Sequence, residues 1–299
     1  MKITLKAAIA ISLIHALWGG NPVAVKFGLE VFPPLWSGFL RFTIAIVCIL
    51  IWAWIKGIPM MLKREELVPF SMLGLLFFIQ IWLMNEGFSL SSGTISSVLI
   101  STFPLFAAFF SHYMIKGDQL TYVRTTGLLV AFVGTSLIVF RGGGLSADEF
   151  STWGAWIVLL SAMLLGLRLI MSARMVRQTE PTRVVVWMMI LSLWAFFLGG
   201  LMLEEINWQN LSWEPLAGIL YQGVVIAGFG FMAYGMLYRY YSPILVSSFG
   251  FISPVCGVFL SSWMLDEPIT WIITVGTSCV GAGLVLIVRP NLKSVKLGG

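Results

Sequence analysis

The side chains of this chain that could do chemistry are few, and nearly all lie inside apolar runs. The two histidines, His15 and His112, are far apart. No Gly-rich phosphate loop, His-Glu-x-x-His or Cys-x-x-Cys accompanies them, and Gly142-Gly143-Gly144 lacks the strand–helix context of a phosphate site. The inventory therefore predicts no enzyme, no cofactor and no metal. What recurs is small and polar residues at helical spacing. Ser12, His15, Gly19 and Pro22 fall on one helix face, with Trp18 on its flank. Ser97, Ser101 and Pro104 share a second face, and Ser247, Gly250, Pro254 and Gly257 a third. Such stripes either let helices approach closely or line a binding site. Asn21, Gln80, Gln222 and Tyr234 would add donors and acceptors, and Trp18 and Tyr234 could stack on an aromatic or cationic ligand.

Charge inside the apolar runs is rarer still. Arg41 and Arg168 are expensive if they face lipid. Each is read either as structural, snorkelling to an interface or pairing with an acid such as Glu86, or as the partner of an anionic ligand group. No Asp or Glu lies near the middle of a run, and Glu86 is the borderline case. Buried carboxylates are the usual ion relays of membrane proteins, so heavy ion coupling is not expected. His15 is the one group in a run that would titrate near neutral pH, unless a hydrogen bond inside the bundle holds it.

These residues must be positioned by helices in a bilayer. Ten nearly uncharged stretches of about 20 residues, the length that crosses a hydrocarbon core, alternate with short polar joints. They are read as spans 1 to 10, at residues 5–25, 34–55, 68–88, 93–114, 121–140, 153–173, 181–202, 213–237, 243–264 and 269–288. The chain is 59% hydrophobic and 10% charged, with a mean hydropathy of +0.94, which leaves too little polar surface to wrap a water-soluble core. Uniform rather than alternating apolarity favours helices over a barrel. The formal charge of +5 is scattered among joints, which fits membrane orientation and not nucleic acid. Cys48, Cys256 and Cys279 fall inside spans and read as small buried residues. Lys2 and Lys6 before an apolar run resemble a signal peptide, but no Ala-x-Ala site follows, so this run is read as a retained first span. With the N-terminus in the cytoplasm, fourteen of the eighteen Lys and Arg fall on the inner side and only Lys26 and Arg141 on the outer. That bias predicts both termini inside an inner, or plasma, membrane.

The chain also repeats itself. Residues 97–104 align with 247–254, placing Pro104 opposite Pro254, while Gly127 and Gly134 align with Gly276 and Gly283. Gly19 aligns with Gly166 and Pro34 with Pro181. Pro104 and Pro254 each free a carbonyl one turn upstream, and matched helix breaks near mid-membrane point to a binding site. Five spans per half is an odd number, so the halves, residues 1–141 and 150–290, are expected to be inverted copies. That is the architecture of alternating-access carriers.

The whole chain resembles the drug/metabolite transporter superfamily, EamA branch. The residues that carry the resemblance are Leu17-Trp18-Gly19-Gly20-Asn21, Leu40-Arg41-Phe42, Pro104, Pro254 and Leu265-Asp266-Glu267-Pro268-Ile269-Thr270 before a Gly-rich last span. Lys116-Gly117-Asp118 departs from the Gly-Glu pair usual in the family at that joint. The resemblance implies an all-α membrane protein of two inverted five-helix repeats, with a cavity built mainly by spans 1, 3, 4, 6, 8 and 9. It also implies transport of small metabolites such as amino acids, or of drug-like amphipathic compounds. On these grounds His15, Trp18, Asn21, Gln80, Ser97, Ser101, Tyr234 and Ser247 are expected to bind substrate, with Pro104, Pro254 and the glycines of span 8 as hinges. Gly127, Ala131 and Thr135 in span 5, and Thr277, Gly281, Cys279 and Gly283 in span 10, read as close-packing faces and as a homodimer surface. A lipid scramblase and a non-transporting scaffold are the alternative readings.

Overall fold

The computed structural model describes residues 5–114, 122–141, 152–240 and 248–288, and among them there is helix and no strand. Among the described residues, seven helices are long and apolar enough to cross a membrane, and three shorter apolar ones accompany them. Large side chains such as Trp54, Trp213 and Trp263 are exposed on the outside of the bundle, as lipid-facing positions require.

Several spans are broken, and the breaks have local causes. Span 1 is α1 (Leu5–Gly19) and α2 (Asn21–Leu29), separated at Gly20, with Pro22 in the first turn of α2. Proline is at home there because a first-turn N–H has no acceptor within the helix. Spans 2 and 3 are unbroken, α3 (Pro34–Ile55) and α4 (Leu67–Ser89). Span 4 divides into α5 (Gly93–Ile100) and α6 (Phe103–Met114). Pro104 thus opens α6 instead of kinking a continuous helix. Hydroxyls serve the carbonyls at this break: Ser101 Oγ donates to Ser97 O (2.6 Å) and Thr102 Oγ1 to Leu99 O (2.6 Å). Three helices follow, α7 (Tyr122–Arg141), α8 (Thr152–Val176) and α9 (Pro181–Leu203). Span 8 runs from α10 (Trp213–Leu220) through a π-helical stretch, Tyr221–Gly230, into α11 (Phe231–Tyr240). In span 9 a 3-10 turn, Ser248–Phe251, leads into α12 (Ile252–Met264), so Pro254 also sits in a first helical turn. The last helix is α13 (Trp271–Val288).

The packing repeats as the sequence does. A methyl group at Gly19 would come within 2.6 Å of Cys256 Cβ and 2.8 Å of Ser253 O, and one at Gly166 within 2.8 Å of Phe106 Cβ and 2.9 Å of Phe103 O. The partners 253 and 256 align with 103 and 106. Each glycine therefore lets one span cross its neighbour just past a proline. The α7–α13 pair behaves alike: Gly134 abuts Cys279 and Gly276, and Gly283 abuts Gly127 and Ala131. The small-residue faces expected in spans 5 and 10 meet each other within one chain. Gly281 in span 10 points into open space, so of the two stripes read there it is Cys279–Gly283 that packs against span 5.

At the end of the bundle that holds the joints 30–33, 90–92 and 265–270, acidic side chains tie the halves together. Glu267 accepts from the N–H groups of Gly93 and Thr94 (2.6 Å each) and so caps α5. Glu204 does the same for α3 through Leu35 (2.9 Å) and Trp36 (3.1 Å). A helix start carries orphan N–H groups and partial positive charge, which suits carboxylates. The preceding Asp266 has φ +52°, a left-handed conformation that Asp tolerates better than most residues. Lys26 donates to Phe88 O (3.2 Å) and Ser91 O (3.0 Å) at the same end. The opposite end is joined by Arg183, bonded to Glu66 Oε2 (2.6 Å) and Met61 O (2.6 Å).

Candidate functional site

A cavity of about 150 Å³ lies in the middle of the bundle. Its wall draws on spans 1, 3, 4, 6, 8 and 9, as expected, but also on spans 2 and 7, through Arg41 and Phe42 and through Val184, Val185 and Met188. The omission of spans 2 and 7 is corrected here, and the reason is rotational. α3 and α9 turn one apolar face inward, and in an evenly apolar helix no sequence period marks which face that is. Spans 5 and 10 contribute no lining residue among those described. The cavity extends to Val176 and Val184, beside the 177–180 joint.

Of the residues expected to bind substrate, Trp18, Asn21, Gln80, Ser101 and Tyr234 line the cavity. His15 and Ser97 sit behind the wall, and Ser247 lies outside the described residues. The Trp18 indole stacks on the Tyr234 ring at 4.3 Å and 18°. Its Nε1 lies so near the backbone of span 8 that a methyl at Gly230 would come within 2.8 Å of it; only glycine leaves that room. His15 Nε2 is 2.6 Å from the Tyr234 hydroxyl and its Nδ1 is 3.3 Å from Ser253 Oγ, whose own proton goes to His15 O at 2.8 Å. With that proton spent, Ser253 accepts from Nδ1–H and Tyr234 donates to Nε2, which defines the tautomer. His15 thus props Tyr234 from behind and joins α1, α11 and α12. Ser97 likewise serves packing. Its hydroxyl donates to Gly93 O (2.6 Å), and its Cβ lies 2.6 Å from where a methyl at Gly257 would be.

The long polar side chains are held across the bundle. Gln80 Nε2 donates to Ser161 Oγ (3.0 Å), and Ser161 Oγ donates back to Gln80 O (2.8 Å). Arg41 Nη1 donates to Gln222 Oε1 (3.0 Å), and Gln222 Nε2 donates to Ala24 O (2.9 Å). Arg41 therefore pairs with a neutral amide and not with Glu86. It turns inward because α3 presents it between α2 and the π stretch, where Gln222 bridges it to Ala24 O. Arg168 Nη1 lies 3.7 Å from Met188 Sδ, and its guanidinium sits over Phe77 (4.9 Å) and Phe231 (5.4 Å). Among the lining residues, Trp18 Nε1, Asn21 Oδ1, Gln80 Oε1 and Arg41 Nε are buried with no hydrogen-bond partner among the described residues. Unsatisfied polar groups on residues around one cavity call for an explanation such as ordered water or a ligand. Ser253 Oγ lies near His15 Nδ1 but gives its proton to His15 O, and no group of three or more His, Cys, Asp or Glu able to hold a metal occurs among the described residues.

Residues 5–140 and 152–289 each match the EamA-like transporter family. The chain belongs to that family. Curated relatives of this EamA chain include the uncharacterized transporter YoaV of Bacillus subtilis, 22% identical over 282 residues that cover 94% of this chain and 96% of the relative. Another is the uncharacterized inner membrane transporter YedA of Escherichia coli, 26% identical over 289 residues covering 93% and 89%. A solved protein structure superposes with a TM-score of 0.71 at 16% identity, covering 95% of this chain and 96% of the other. At that identity it shares the fold alone. This EamA chain is a multi-pass membrane protein and a transporter by family.

Proposed function

We propose that this chain is a secondary carrier, an exporter or facilitator of small metabolites such as amino acids or amphipathic drug-like compounds. In this reading ten helices cross the inner membrane with both termini in the cytoplasm, and the halves are inverted copies that rock about the cavity. The observation that carries it is the cavity itself: it is lined by polar and charged side chains from both halves, Asn21, Arg41 and Gln80 from the first and Arg168, Gln222 and Tyr234 from the second, and spans 4 and 9 break at matched prolines beside it. Such groups are costly in hydrocarbon unless they have a purpose there. The Lys/Arg bias puts the 177–180 joint in the cytoplasm, and the cavity reaches toward it. The ties of Lys26, Glu204 and Glu267 lie at the other end. This conformer is accordingly read as open inward and closed outward.

The test is counterflow in vesicles holding purified protein and a broad metabolite panel, with and without a proton gradient, for wild type and His15→Ala. Exchange of at least one compound, nearly independent of the gradient, is expected, because no carboxylate lines the cavity among the described residues. Flipping of labelled lipid without any metabolite exchange would make the chain a scramblase, and neither activity would leave a scaffold. Reporter fusions after Lys63 and after Gly143 should read inside and outside. A homodimer through spans 5 and 10 would use their exposed faces, such as Leu129, Phe132, Val133 and Val275, since the glycine faces are occupied within the chain.

A further inference from the structure

Equivalent positions of the two halves meet the cavity unequally. At the offset that aligns Gly19 with Gly166 and Pro34 with Pro181, Asn21 pairs with Arg168 and Arg41 with Met188, and all of these line the cavity. Ser172, Val176, Val184 and Val185 line it too, whereas their equivalents Val25, Leu29, Ser37 and Gly38 do not. Val25 and Ser37 are 0% exposed. The extra lining residues flank the 177–180 joint. Among the described residues, then, the cavity follows span 6 further toward that end than it follows span 1 toward the other.

A helix seam closes the other end. There α2 of span 1 meets α10 of span 8 across two glycines. A methyl at Gly218 would come within 2.6 Å of Ala24 O and 3.3 Å of Gly28 N, and one at Gly28 within 3.1 Å of both Ile219 Cδ1 and Gln222 Nε2. Backbones approach so closely only where side chains are absent. A hydrogen bond crosses the seam beside them, from Gln222 Nε2 to Ala24 O at 2.9 Å. The same amide accepts from Arg41 at 3.0 Å, and both residues line the cavity.

The tie of Glu204 differs, because it has an equivalent at the opposite end. Trp36 pairs with Arg183 at the same offset. The Trp36 N–H donates to Glu204, and the Arg183 side chain bonds Glu66. Each is held by a joint of the other half, and both ties exist in one conformer. If inverted halves exchange conformations, a contact found at both ends persists and one found at a single end must break.

We propose that the α2–α10 seam is the outer gate of the carrier, with Gln222 as its latch. Opening outward parts Ala24 and Gly28 from Gly218 and Ile219 and breaks the Gln222–Ala24 bond, while Ser172 and Val176 are covered at the inner end. The assignment rests on the carrier reading, with its inverted halves, and adds which contacts change.

The experiment is reciprocal thiol labelling of the full-length chain in membranes. Val25→Cys reports the closed end and Ser172→Cys the equivalent place at the open end. A membrane-impermeant maleimide is applied outside intact cells and to inside-out vesicles, against the parent chain with its three native cysteines. With no other change, Ser172→Cys should label from the inside and Val25→Cys only slowly from the outside. Adding Gln222→Leu, or separately Gly218→Ala, should speed Val25→Cys labelling about threefold to tenfold, the population shift that one hydrogen bond can hold. Ser172→Cys labelling should slow at the same time. A loosened chain would speed both, so reciprocity separates gating from damage. A second arm locks the seam with Gly28→Cys and Ile219→Cys. A methyl at Gly28 would lie 3.5 Å from Ile219 Cγ1, which puts the two Cβ atoms near disulfide reach. Oxidation should stop the counterflow of any compound that wild type exchanges, and reduction should restore it. Labelling that rises at both sites or changes at neither in both variants, or counterflow that persists through the cross-link, overturns the gate and leaves the carrier reading standing. Should wild type exchange nothing, the carrier reading falls and the gate with it.

Discussion

Spans 3 and 8 occupy equivalent places in the two halves, yet they are built differently. α4 is α-helical through all 23 of its residues. Span 8 changes from α to π geometry for ten residues and back again. Residues 67–89 contain two glycines and residues 213–240 contain five. Glycine in a helix interior is about 1 kcal/mol less favourable than alanine, so span 8 is the softer of the two. The softness has uses. At Gly223 a methyl would come within 2.8 Å of Ile44 Cβ and 3.0 Å of Arg41 O, and the wide turns bring Gln222, Ile226 and Ala227 to the cavity. π segments often mark functional sites. Duplication supplied a shared frame; the half that departs from it carries the adaptable wall.

Breaking the soft side should therefore hurt most. Gln222→Leu leaves Arg41 Nη1 and Ala24 O without their partner. Losing a buried hydrogen bond to a charged group is expected to destabilise by about 2–3 kcal/mol, read as a lower midpoint of unfolding in detergent. Gly223→Leu comes next. Overpacking against α3 is expected to cost about 1–3 kcal/mol and to suppress counterflow by holding span 8 away from span 2. On the stiff side, Gln80→Leu leaves Ser161 still donating to a backbone carbonyl and strands no charge. Its cost should be about 1 kcal/mol. If Gln80→Leu proved as damaging as Gln222→Leu, the contrast between the two spans would not hold.

Much of this contrast could not be read from the chain. The apolar stretches and the aligned prolines made the membrane helices and the breaks of spans 4 and 9 visible, because each follows from local composition or backbone chemistry. Trp18, Asn21, Gln80, Ser101 and Tyr234 were legible for a similar reason: polar groups in hydrocarbon must face inward. The π stretch was not, since a glycine-rich run reads alike for several helical windings. Neither were long-range partners. Arg41 finds Gln222 at 181 residues' separation, Glu204 caps α3 from 169 away, and Glu267 caps α5 from 174 away. His15 showed the opposite hazard. A titratable group on a promising face turned out to support the lining from behind.

The smallest expected effect lies where the end of α9 meets the start of α3. Glu204 has its carboxyl held above the ordinary value of 4.5, first by burial and then by the neighbouring charge of Glu86, although the N–H groups of Leu35 and Trp36 pull it the other way. A carboxyl raised in the folded state binds its proton more tightly folded than unfolded. Its contribution to stability is therefore greatest at low pH, declines as pH rises from 4.5 through the folded value, and stays lower above it. Glu204→Gln keeps an acceptor for the two N–H groups and removes the titration. Wild type minus Glu204→Gln should show a melting temperature difference that falls by about 1 °C across that interval, and Glu86→Gln should shrink the fall. A difference that rises with pH would mean that the two N–H bonds at the start of α3 favour the ionised carboxylate by more than burial and the charge of Glu86 oppose it.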